Sequence, residues 1–537
     1  MVNILFYESG NSRIVSFFFA SAAGLALTCS FPGVGLDACA WFALMFLFFA
    51  LRDAGCKRAF LLGVTAGMVH YLTLLYWIVP TLHKYGPLSL AASIAALFLL
   101  AFYLSLYMAL FSVVIVRWLR TPAFLPVMAP AAWVCLEFFR THFFSGFPWG
   151  LLGYSQFRHL ALIQMADIFG VWGISFLLIM ANSVFFLVIS HLSGRQWQGM
   201  RIGRKTLFCW ISVLGIVIVS VLVYGSHEIK RTDRIAESSS KIRVAVVQGN
   251  IGQAIKWDHA YEKITTEKYI TLSDRVSRNR PELVVWPETA VPFYFFYDTI
   301  LTNRILETVR RAGCFFLVGA PTYTYGRDNR QVKIFNSALL IDPKGQVSGE
   351  YNKVHLVPFG EYVPLRKWLP FVGKIVSQLE DFSPGKAETI LRMGNTGIAT
   401  QICYEIIFPG LCASMVRVGA DIIVNITNDA WFGQTSAPMQ HFSMAVFRAV
   451  ENRRAVVRGA NTGISGFIGP SGRILETSGL FKTDVLFREV PVMLGHRTFY
   501  TMHGDILPLL CMIILLMATL WCARRKHVAE KMGLPKA

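Results

Sequence analysis

Residues 401–408, Gln-Ile-Cys-Tyr-Glu-Ile-Ile-Phe, place a cysteine and a carboxylate at the end of an apolar run. A free cysteine packs well in a protein core, yet its thiolate is also a strong nucleophile. Because a thiol with an ordinary pKa of about 8.5 is mostly protonated at neutral pH, attack by Cys403 requires a base. No histidine lies within ten residues of Cys403 on either side, so the base has to come from elsewhere in the chain.

Glu288 and Lys353 are the residues that would complete such a site. Considered alone, Glu288 could be an acidic residue near a helix N-terminus, where backbone amides stabilise its charge. Considered alone, Lys353 could be an ordinary solvated lysine on the surface. Taken with Cys403, they supply a base and a fixed cation for the oxyanion that forms when a nucleophile attacks a carbonyl. The three residue types together predict covalent acyl chemistry.

Short strands and helices surround these residues and predict an α/β domain. Apolar residues at helical spacing predict helices over 258–278 and 299–312. Apolar and β-branched runs predict strands over 241–250, 281–288, 314–321, 335–341, 396–403, 420–427 and 463–469. Glu288 and Cys403 fall at the ends of two of these strands, where active sites of covered sheets usually form.

The composition places this domain in a membrane protein. The 537-residue chain is 54% hydrophobic and 15% charged, too apolar for a soluble protein of this length. Stretches of about 20 residues, long enough to cross a bilayer core, begin near residues 13, 35, 58, 87, 122, 163 and 205, and another covers 505–523. We expect about seven transmembrane helices over 1–227, an inserted α/β domain over 228–496, and a last transmembrane helix with a basic tail over 497–537.

The net charge of +19 does not indicate a nucleic-acid partner, because most of the basic residues outside the α/β domain lie on one side of the expected spans. The loops of the other side offer only Lys84, Arg140 and Arg158. This asymmetry predicts cytoplasmic termini and an extracytoplasmic α/β domain. The residues of the basic side are Arg13, Arg52, Lys57, Arg58, Arg117, Arg120, Arg195, Arg201, Arg204, Lys205, Arg524, Arg525, Lys526, Lys531 and Lys536.

Cysteine usage agrees with a free thiol in the α/β domain. Of ten cysteines, only Cys314, Cys403 and Cys412 lie in that domain. An odd number leaves at least one thiol without a partner inside the domain, even in an oxidising compartment.

Four motifs resemble, in order and spacing, those of the nitrilase (carbon–nitrogen hydrolase) superfamily with its Glu-Lys-Cys triad: VVWPETA, YNKVHLVPFGEYVP, QICYEIIFP and NITNDAWFG. The membrane-embedded plan, with SGFPWGLLGYSQ at 145–156, resembles the apolipoprotein N-acyltransferases within it. The resemblance implies an αββα sandwich. It also implies that Glu288 is general base and then general acid, that Cys403 is the nucleophile, and that Lys353 with the backbone N–H of Tyr404 stabilises the oxyanion.

The same resemblance implies supporting residues. Glu361 would support the triad. The alternative is that Glu361 is an acidic loop residue beside two prolines with no role in the site. Tyr404 and Glu405 would position substrate or anchor the loop, although Glu405 could equally cap a helix that begins near Phe408. No metal-ligand spacing is present, so we expect neither a metal nor another cofactor.

Aromatic residues of the α/β domain indicate contact with lipid. Several segments of the domain are rich in aromatic residues, among them 291–298 and 429–433, and the second contains Trp431 and Phe432. Trp257 is a further aromatic residue of this kind. Aromatic side chains favour membrane interfaces, and exposed apolar patches mark binding sites. With the resemblance, they imply an enzyme of the bacterial inner membrane whose α/β domain faces the periplasm. It would transfer an acyl chain from a phospholipid, through a thioester on Cys403, to the free α-amine of a diacylglyceryl-cysteine on an apolipoprotein.

Two alternatives remain at the level of the sequence. A membrane-anchored amidase or nitrilase would share the triad and pass the acyl group to water. A transporter or scaffold would use the outer domain only to bind a ligand, an idea to which Glu137, Arg140 and Asp167 in or near the spans lend some support.

The charge asymmetry yields a test of orientation. A tag inserted near Gly326 should react with a membrane-impermeant reagent added outside an intact cytoplasmic membrane, whereas a tag after Lys536 should react only after permeabilisation. The reverse pattern of labelling would exclude transfer to acceptors outside the cytoplasm.

Overall fold

The computed structural model describes residues 12–86, 88–119, 121–253, 256, 258–325, 332–363 and 381–531. Trp257, which the sequence analysis selected as a supporting residue, lies outside these described residues. Ten helices precede the first strand, two sheets with four helices follow, and two helices end the described chain.

The N-terminal part of the chain is entirely helical. Its two longest helices have 29 and 35 residues, and its shortest are single turns. The helices are α1 (Ser12–Cys29), α2 (Ala43–Leu51), α3 (Cys56–Leu74), α4 (Ile78–Tyr85), α5 (Leu90–Trp118), α6 (Leu125–His142), α7 (Leu160–Ile163), α8 (Ala166–Phe169), α9 (Val171–Leu192) and α10 (Arg204–Ser238).

Among the described residues, four helices are long and apolar enough to cross a membrane, and the pair α3 and α4, bent by 51°, makes a fifth if it is one span. The first two expected spans and the last one correspond to shorter apolar helices. The span expected from residue 163 is instead divided, because Gly170 has a φ of +63° and separates α8 from α9. The count of about seven N-terminal spans therefore stays a prediction.

The α/β domain contains two six-stranded sheets. The first has the order β12-β1-β2-β3-β4-β5 and the second β11-β10-β9-β8-β7-β6, each with a parallel centre and antiparallel edges. The strands are β1 (Lys241–Gln248), β2 (Leu283–Val285), β3 (Phe315–Tyr325), β4 (Val332–Ile341), β5 (Val347–Asn352), β6 (Leu391–Met393), β7 (Thr396–Ile402), β8 (Ile422–Thr427), β9 (Val456–Ala460), β10 (Gly466–Ile468), β11 (Ile474–Thr477) and β12 (Asp484–Pro491).

Alternating side chains of the strands produce the layers of the fold. Val244 and Val246 of β1 belong to the core between the two sheets, while their neighbours Ala245 and Val247 pack toward the helices outside the first sheet. At Gly459 of β9 the sheets approach closely, since a Cβ there would lie 3.1 Å from Val285. The helices of the domain are α11 (His259–Ser277), α12 (Thr299–Ala312), α13 (Pro409–Arg417) and α14 (Ala437–Asn452).

The α/β sandwich predicted from the sequence is therefore confirmed. Each predicted strand overlaps an observed one, and both predicted helices, 258–278 and 299–312, are present as α11 and α12. Strands β5, β6, β9, β11 and β12 and helix α14 had no counterpart in the sequence analysis. The expected boundary at 228 falls inside α10, which continues to Ser238 before β1 begins.

Buried polar side chains join the α/β domain to the helical domain, mainly through α14. Gln440 accepts a hydrogen bond from Trp149 Nε1 at 2.8 Å, and Arg448 Nη2 donates to the Tyr154 hydroxyl at 3.0 Å. After β12 the chain returns to the helical domain through α15 (Phe499–His503) and α16 (Ile506–Lys531), which packs against α6.

The Arg448–Glu451 pair is a test of this packing. Both side chains are fully buried, and Arg448 Nη2 lies 2.8 Å from Glu451 Oε1. Replacing one partner leaves a charge buried without compensation, so Arg448→Met should destabilise the fold by about 3–5 kcal/mol. The double variant Arg448→Met/Glu451→Leu should recover most of that loss. Denaturant unfolding in detergent measures both, and equal losses in the single and double variants would contradict this account.

Candidate active site

The structure brings Glu288, Lys353 and Cys403 to one cavity of about 410 Å³. Glu288 follows β2, Lys353 follows β5, and Cys403 follows β7, so the three come from the ends of strands in both sheets. Glu288 is 6% exposed and Lys353 is 1% exposed. The three strand-end residues thus lie at one cavity, with Glu288 and Lys353 buried and Cys403 half-buried.

The backbone of Cys403 is held in an unusual conformation. Its φ is +53°, in the left-handed region, which costs a non-glycine residue about 1–3 kcal/mol. Two side chains hold its carbonyl: His441 Nε2 lies at 3.2 Å and Asn425 Nδ2 at 3.4 Å. The turn that follows, Cys403–Ile407, therefore presents the thiol from a fixed backbone.

Glu405 anchors this turn and does not cap the following helix. Its carboxylate accepts hydrogen bonds from the Tyr351 hydroxyl and from three backbone amides, those of Val354, His355 and Ile402, at 2.7–3.0 Å. Four donors on one carboxylate join the end of β5, beside Lys353, to the end of β7, beside Cys403. Of the roles left open by the sequence, loop anchoring is the one that these contacts support.

A second carboxylate and an amide surround the predicted base and cation. Lys353 Nζ lies 2.9 Å from Glu361 Oε1 and 3.5 Å from Glu288 Oε1. Asn336 Nδ2 donates to both carboxylates, at 2.8 Å to Glu288 and 2.9 Å to Glu361. The other Glu288 oxygen accepts from the backbone amide of Asn428 at 2.9 Å. Glu361 thus contacts the triad directly and is more than a loop acid.

The protonation states follow from burial and these contacts. Burial and then the neighbouring Glu288 raise the pKa of the Cys403 thiol far above its ordinary value, so the thiol is neutral at rest. Burial alone would lower the pKa of Lys353, but Glu361 and Glu288 raise it above its ordinary value, so the ammonium stays charged. The site therefore holds a fixed cation beside a thiol that loses its proton only when a base accepts it.

Lys256 is a second buried lysine that the sequence analysis missed. Its Nζ donates to the backbone carbonyl of Glu288 at 2.9 Å, and its side chain is 2% exposed. Burial lowers its pKa to about 8, although Glu288 and Cys403 favour its charged form. It fixes the segment that carries the base.

A buried cluster behind the nucleophile was also missed. Asp429 Oδ2 accepts from Arg458 Nη2 at 2.8 Å, and Arg458 also lies 3.0 Å from His441 Nδ1. Burial and Arg458 lower the pKa of His441, which is therefore neutral, with Nε2–H directed at the Cys403 carbonyl. His441 thus contacts the backbone carbonyl of Cys403 rather than its thiol.

Of the aromatic residues selected from the sequence, Trp431 and Phe432 line the same cavity, whereas no residue of 291–298 lines it. The backbone carbonyl of Trp431 accepts from Thr81 of α4 at 2.9 Å, and the Phe432 ring packs on Trp77 at 4.9 Å between centroids. The Tyr404 ring packs against Phe408 at 5.2 Å. The opposite wall belongs to the helical domain and is mainly apolar, with Leu100, Tyr103, Phe143, Phe144 and Phe147.

Two family models match the chain, in consecutive segments. The model described as the apolipoprotein N-acyltransferase N-terminal domain matches residues 23–184, and the carbon–nitrogen hydrolase model matches residues 243–496. The second segment contains Glu288, Lys353, Cys403 and the residues that contact them.

Relatives match over nearly the full length. The apolipoprotein N-acyltransferase of Geobacter metallireducens is 39% identical over 95% of this chain and 95% of its own. That of Methylococcus capsulatus is 32% identical over 96% of this chain and 97% of its own. The resemblance noted in the sequence is confirmed, and the chain belongs to the apolipoprotein N-acyltransferase family.

Proposed function

We propose that this protein transfers a fatty acyl chain from a phospholipid to the free α-amine of an N-terminal diacylglyceryl-cysteine on an apolipoprotein. The observation that carries the proposal is the composition of the 410 Å³ cavity. Its lining includes Glu288, Lys353 and Cys403 of the α/β domain together with apolar side chains of the helical domain, from α4, α5 and the loop after α6. An acyl ester can lie in such a cavity with its chain against the helices and its carbonyl beside the thiol.

In the first half-reaction, Glu288 accepts the thiol proton while the Cys403 sulfur attacks the ester carbonyl carbon. The resulting oxyanion is stabilised by the Lys353 ammonium and the backbone N–H of Tyr404. Collapse breaks the ester C–O bond, and Glu288 returns the proton to the departing lysophospholipid oxygen. The products are a neutral alcohol and a thioester on Cys403.

In the second half-reaction, the acceptor amine attacks the thioester carbonyl. Glu288, unprotonated again, removes a proton from the amine nitrogen, and the same cation and amide stabilise the second oxyanion. Collapse breaks the C–S bond, and the proton passes from Glu288 to the sulfur. An amide is released, and the thiol is regenerated.

The supporting residues hold the proposed base, Glu288, and the proposed cation, Lys353, in fixed positions relative to each other. Glu361 and Asn336 hold Lys353 and Glu288 through the contacts given above, and Glu405 ties the two loops together. Trp431 and Phe432 reduce access of water to the thioester, which favours transfer over hydrolysis. In this proposal, the protein lies in the bacterial inner membrane with its α/β domain in the periplasm, where diacylglyceryl-apolipoproteins are available.

Asn336 tests whether bridging of the two carboxylates matters for catalysis. Asn336→Asp replaces a donor shared by Glu288 and Glu361 with a third acceptor, so turnover at neutral pH should fall by about 10²-fold. Lowering the pH protonates the introduced carboxyl and restores a donor, so the ratio of variant to wild-type activity should rise toward acid. The pH profile of kcat is the measurement.

Asn352→Asp is the matched control for that substitution. Asn352 lies beside Lys353 but uses its side-chain oxygen to accept from the Ser337 hydroxyl at 2.5 Å, a role that a carboxylate can keep. It should retain most of the activity and the wild-type pH profile. If the two variants lost activity equally and with the same pH dependence, Asn336 would have only a structural role.

The covalent intermediate gives the second test. Incubation with phospholipid alone should add one acyl mass to the protein, because a site poor in water slows hydrolysis of the thioester. Neutral hydroxylamine should remove the mass. Cys403→Ala should not acquire it, whereas Cys314→Ala and Cys412→Ala should, since both of those thiols are buried and neither lines the cavity.

The acceptor then distinguishes transferase from hydrolase. A diacylglyceryl-cysteinyl peptide with a free α-amine should discharge the adduct and become an amide, while the same peptide with an acetylated amine should leave it intact. Intact-protein mass spectrometry follows both reactions. Steady release of free fatty acid without acceptor and without an adduct would identify a hydrolase.

A further inference from the structure

A second cleft, of about 190 Å³, lies where α10 meets α8 and the chain before α15. Its walls include Tyr224, Glu228 and Arg231 of α10, Asp167 of α8, and Arg453 after α14. None of its lining residues lines the catalytic cavity. A single water needs about 10–15 Å³ by this kind of measure, so the cleft has room for a larger group.

The position of the cleft along α10 corresponds to the headgroup layer of the bilayer. Exposed large apolar side chains occur on α10 from Phe208 to Val223 and on α16 from Leu509 onward. From Arg204, about 20 residues at 1.5 Å each cross a hydrocarbon core of about 30 Å and reach Tyr224. The cleft begins at that residue, at the membrane surface on the side of the α/β domain.

The acidic side chains in the cleft are already compensated. Arg453 Nη2 lies 2.7 Å from Asp167, which also accepts from the Tyr224 hydroxyl. Glu228 pairs with Arg231 at 2.9 Å and lies 4.0 Å from Arg453. The two acids are therefore neutralised by two arginines before any ligand is present.

One arginine of the cleft has no such compensation. Arg497 lines the cleft and is exposed, and no carboxylate in the described part of the chain lies within ion-pair distance of it. Within the described residues, its guanidinium donates only to the Met502 sulfur, at 4.0 Å. Its neighbour His496 also lines the cleft and is exposed. The mouth of the cleft therefore carries uncompensated positive charge.

Apolar side chains flank this charge. Leu494, Phe499 and Met502 are 60%, 45% and 42% exposed. A segment that alternates basic and large apolar residues at this depth suits the boundary between headgroups and acyl chains. Free phosphate would use the basic residues only, whereas a phospholipid would use both kinds.

We infer that this cleft binds the phosphate group of a phospholipid headgroup, held by Arg497 and His496, with the acyl chains beside Leu494 and Phe499. Because Asp167 and Glu228 are already paired with arginines, the uncompensated positive charge at the mouth favours a headgroup with a net negative charge, as in phosphatidylglycerol, over the zwitterionic phosphatidylethanolamine. The bound lipid is not a substrate, because the cleft shares no residue with the catalytic cavity. The bound lipid would contact both α10 and the segment that precedes α15 and α16.

Photo-cross-linking of the full-length protein tests the assignment. The protein is placed in phosphatidylcholine nanodiscs that contain a phosphatidylethanolamine with a diazirine near the headgroup, and cross-linked peptides are mapped by mass spectrometry. Cross-links should occur in residues 224–235 and 493–503 as well as in the catalytic cavity. Arg497→Gln should lower the first set about tenfold, the effect of losing one charge-assisted hydrogen bond. The cavity cross-links, measured in the same sample, should remain and report an intact fold.

Arg278→Gln, at an exposed arginine after α11, is the matched control and should leave both sets unchanged. Unlabelled phosphatidylglycerol should compete better than phosphatidylethanolamine, because the unpaired charge of the cleft is positive, and inorganic phosphate should not compete. Equal cross-linking at the cleft in Arg497→Gln and Arg278→Gln would overturn the proposal, as would displacement by inorganic phosphate alone.

Discussion

A charged lysine buried between two carboxylates is the interaction on which the catalytic half of this protein depends. Lys353 is almost inaccessible to water, so its charge is tolerable only because Glu288 and Glu361 lie on either side of it. Such a group is stable only if every member keeps its geometry. The strand ends, the Glu405 anchor and the Asn336 bridge all serve that requirement. The same fixed charges face a cavity whose walls are mainly apolar, where electrostatic interactions are stronger than in water.

The three residues of the proposed triad could be selected from the sequence, and the structure places them at one cavity, but most of the residues that contact them could not be selected. Glu288, Lys353 and Cys403 have types that are conspicuous at strand or loop ends. Asn336 is one of two polar residues, with Ser337, in the otherwise apolar run 335–341, and nothing in the local sequence indicates that it faces two carboxylates. His441 of α14 contacts the Cys403 carbonyl and Arg458 of β9 contacts His441, and such contacts depend on tertiary packing.

The limits on predicting the fold have a similar physical origin. Long apolar helices such as α5 and α9 are visible from composition, because the bilayer requires an apolar surface. The short edge strands β6 and β11 carry little periodic signal and are fixed by their neighbours in the sheet. Helix α14 was missed, and fifteen of its sixteen residues from Ala437 to Asn452, polar ones included, are buried. On that helix Gln440 contacts the membrane domain and His441 contacts the nucleophile, so docking and catalysis share adjacent residues.

Helix α10 runs without interruption through 35 residues, from the far side of the membrane domain into the α/β domain. About 20 of these residues are enough to cross the hydrocarbon core, and the remaining residues continue the same helix beyond it. The height of the Cys403 thiol above the lipid surface is therefore set by a fixed length measured from the opposite leaflet. A thicker bilayer would draw the cavity toward the acyl chains, and a thinner one would lift it into the headgroups or force the helix to tilt. The thickness of the surrounding bilayer is thus a physical variable to which acyl transfer should respond.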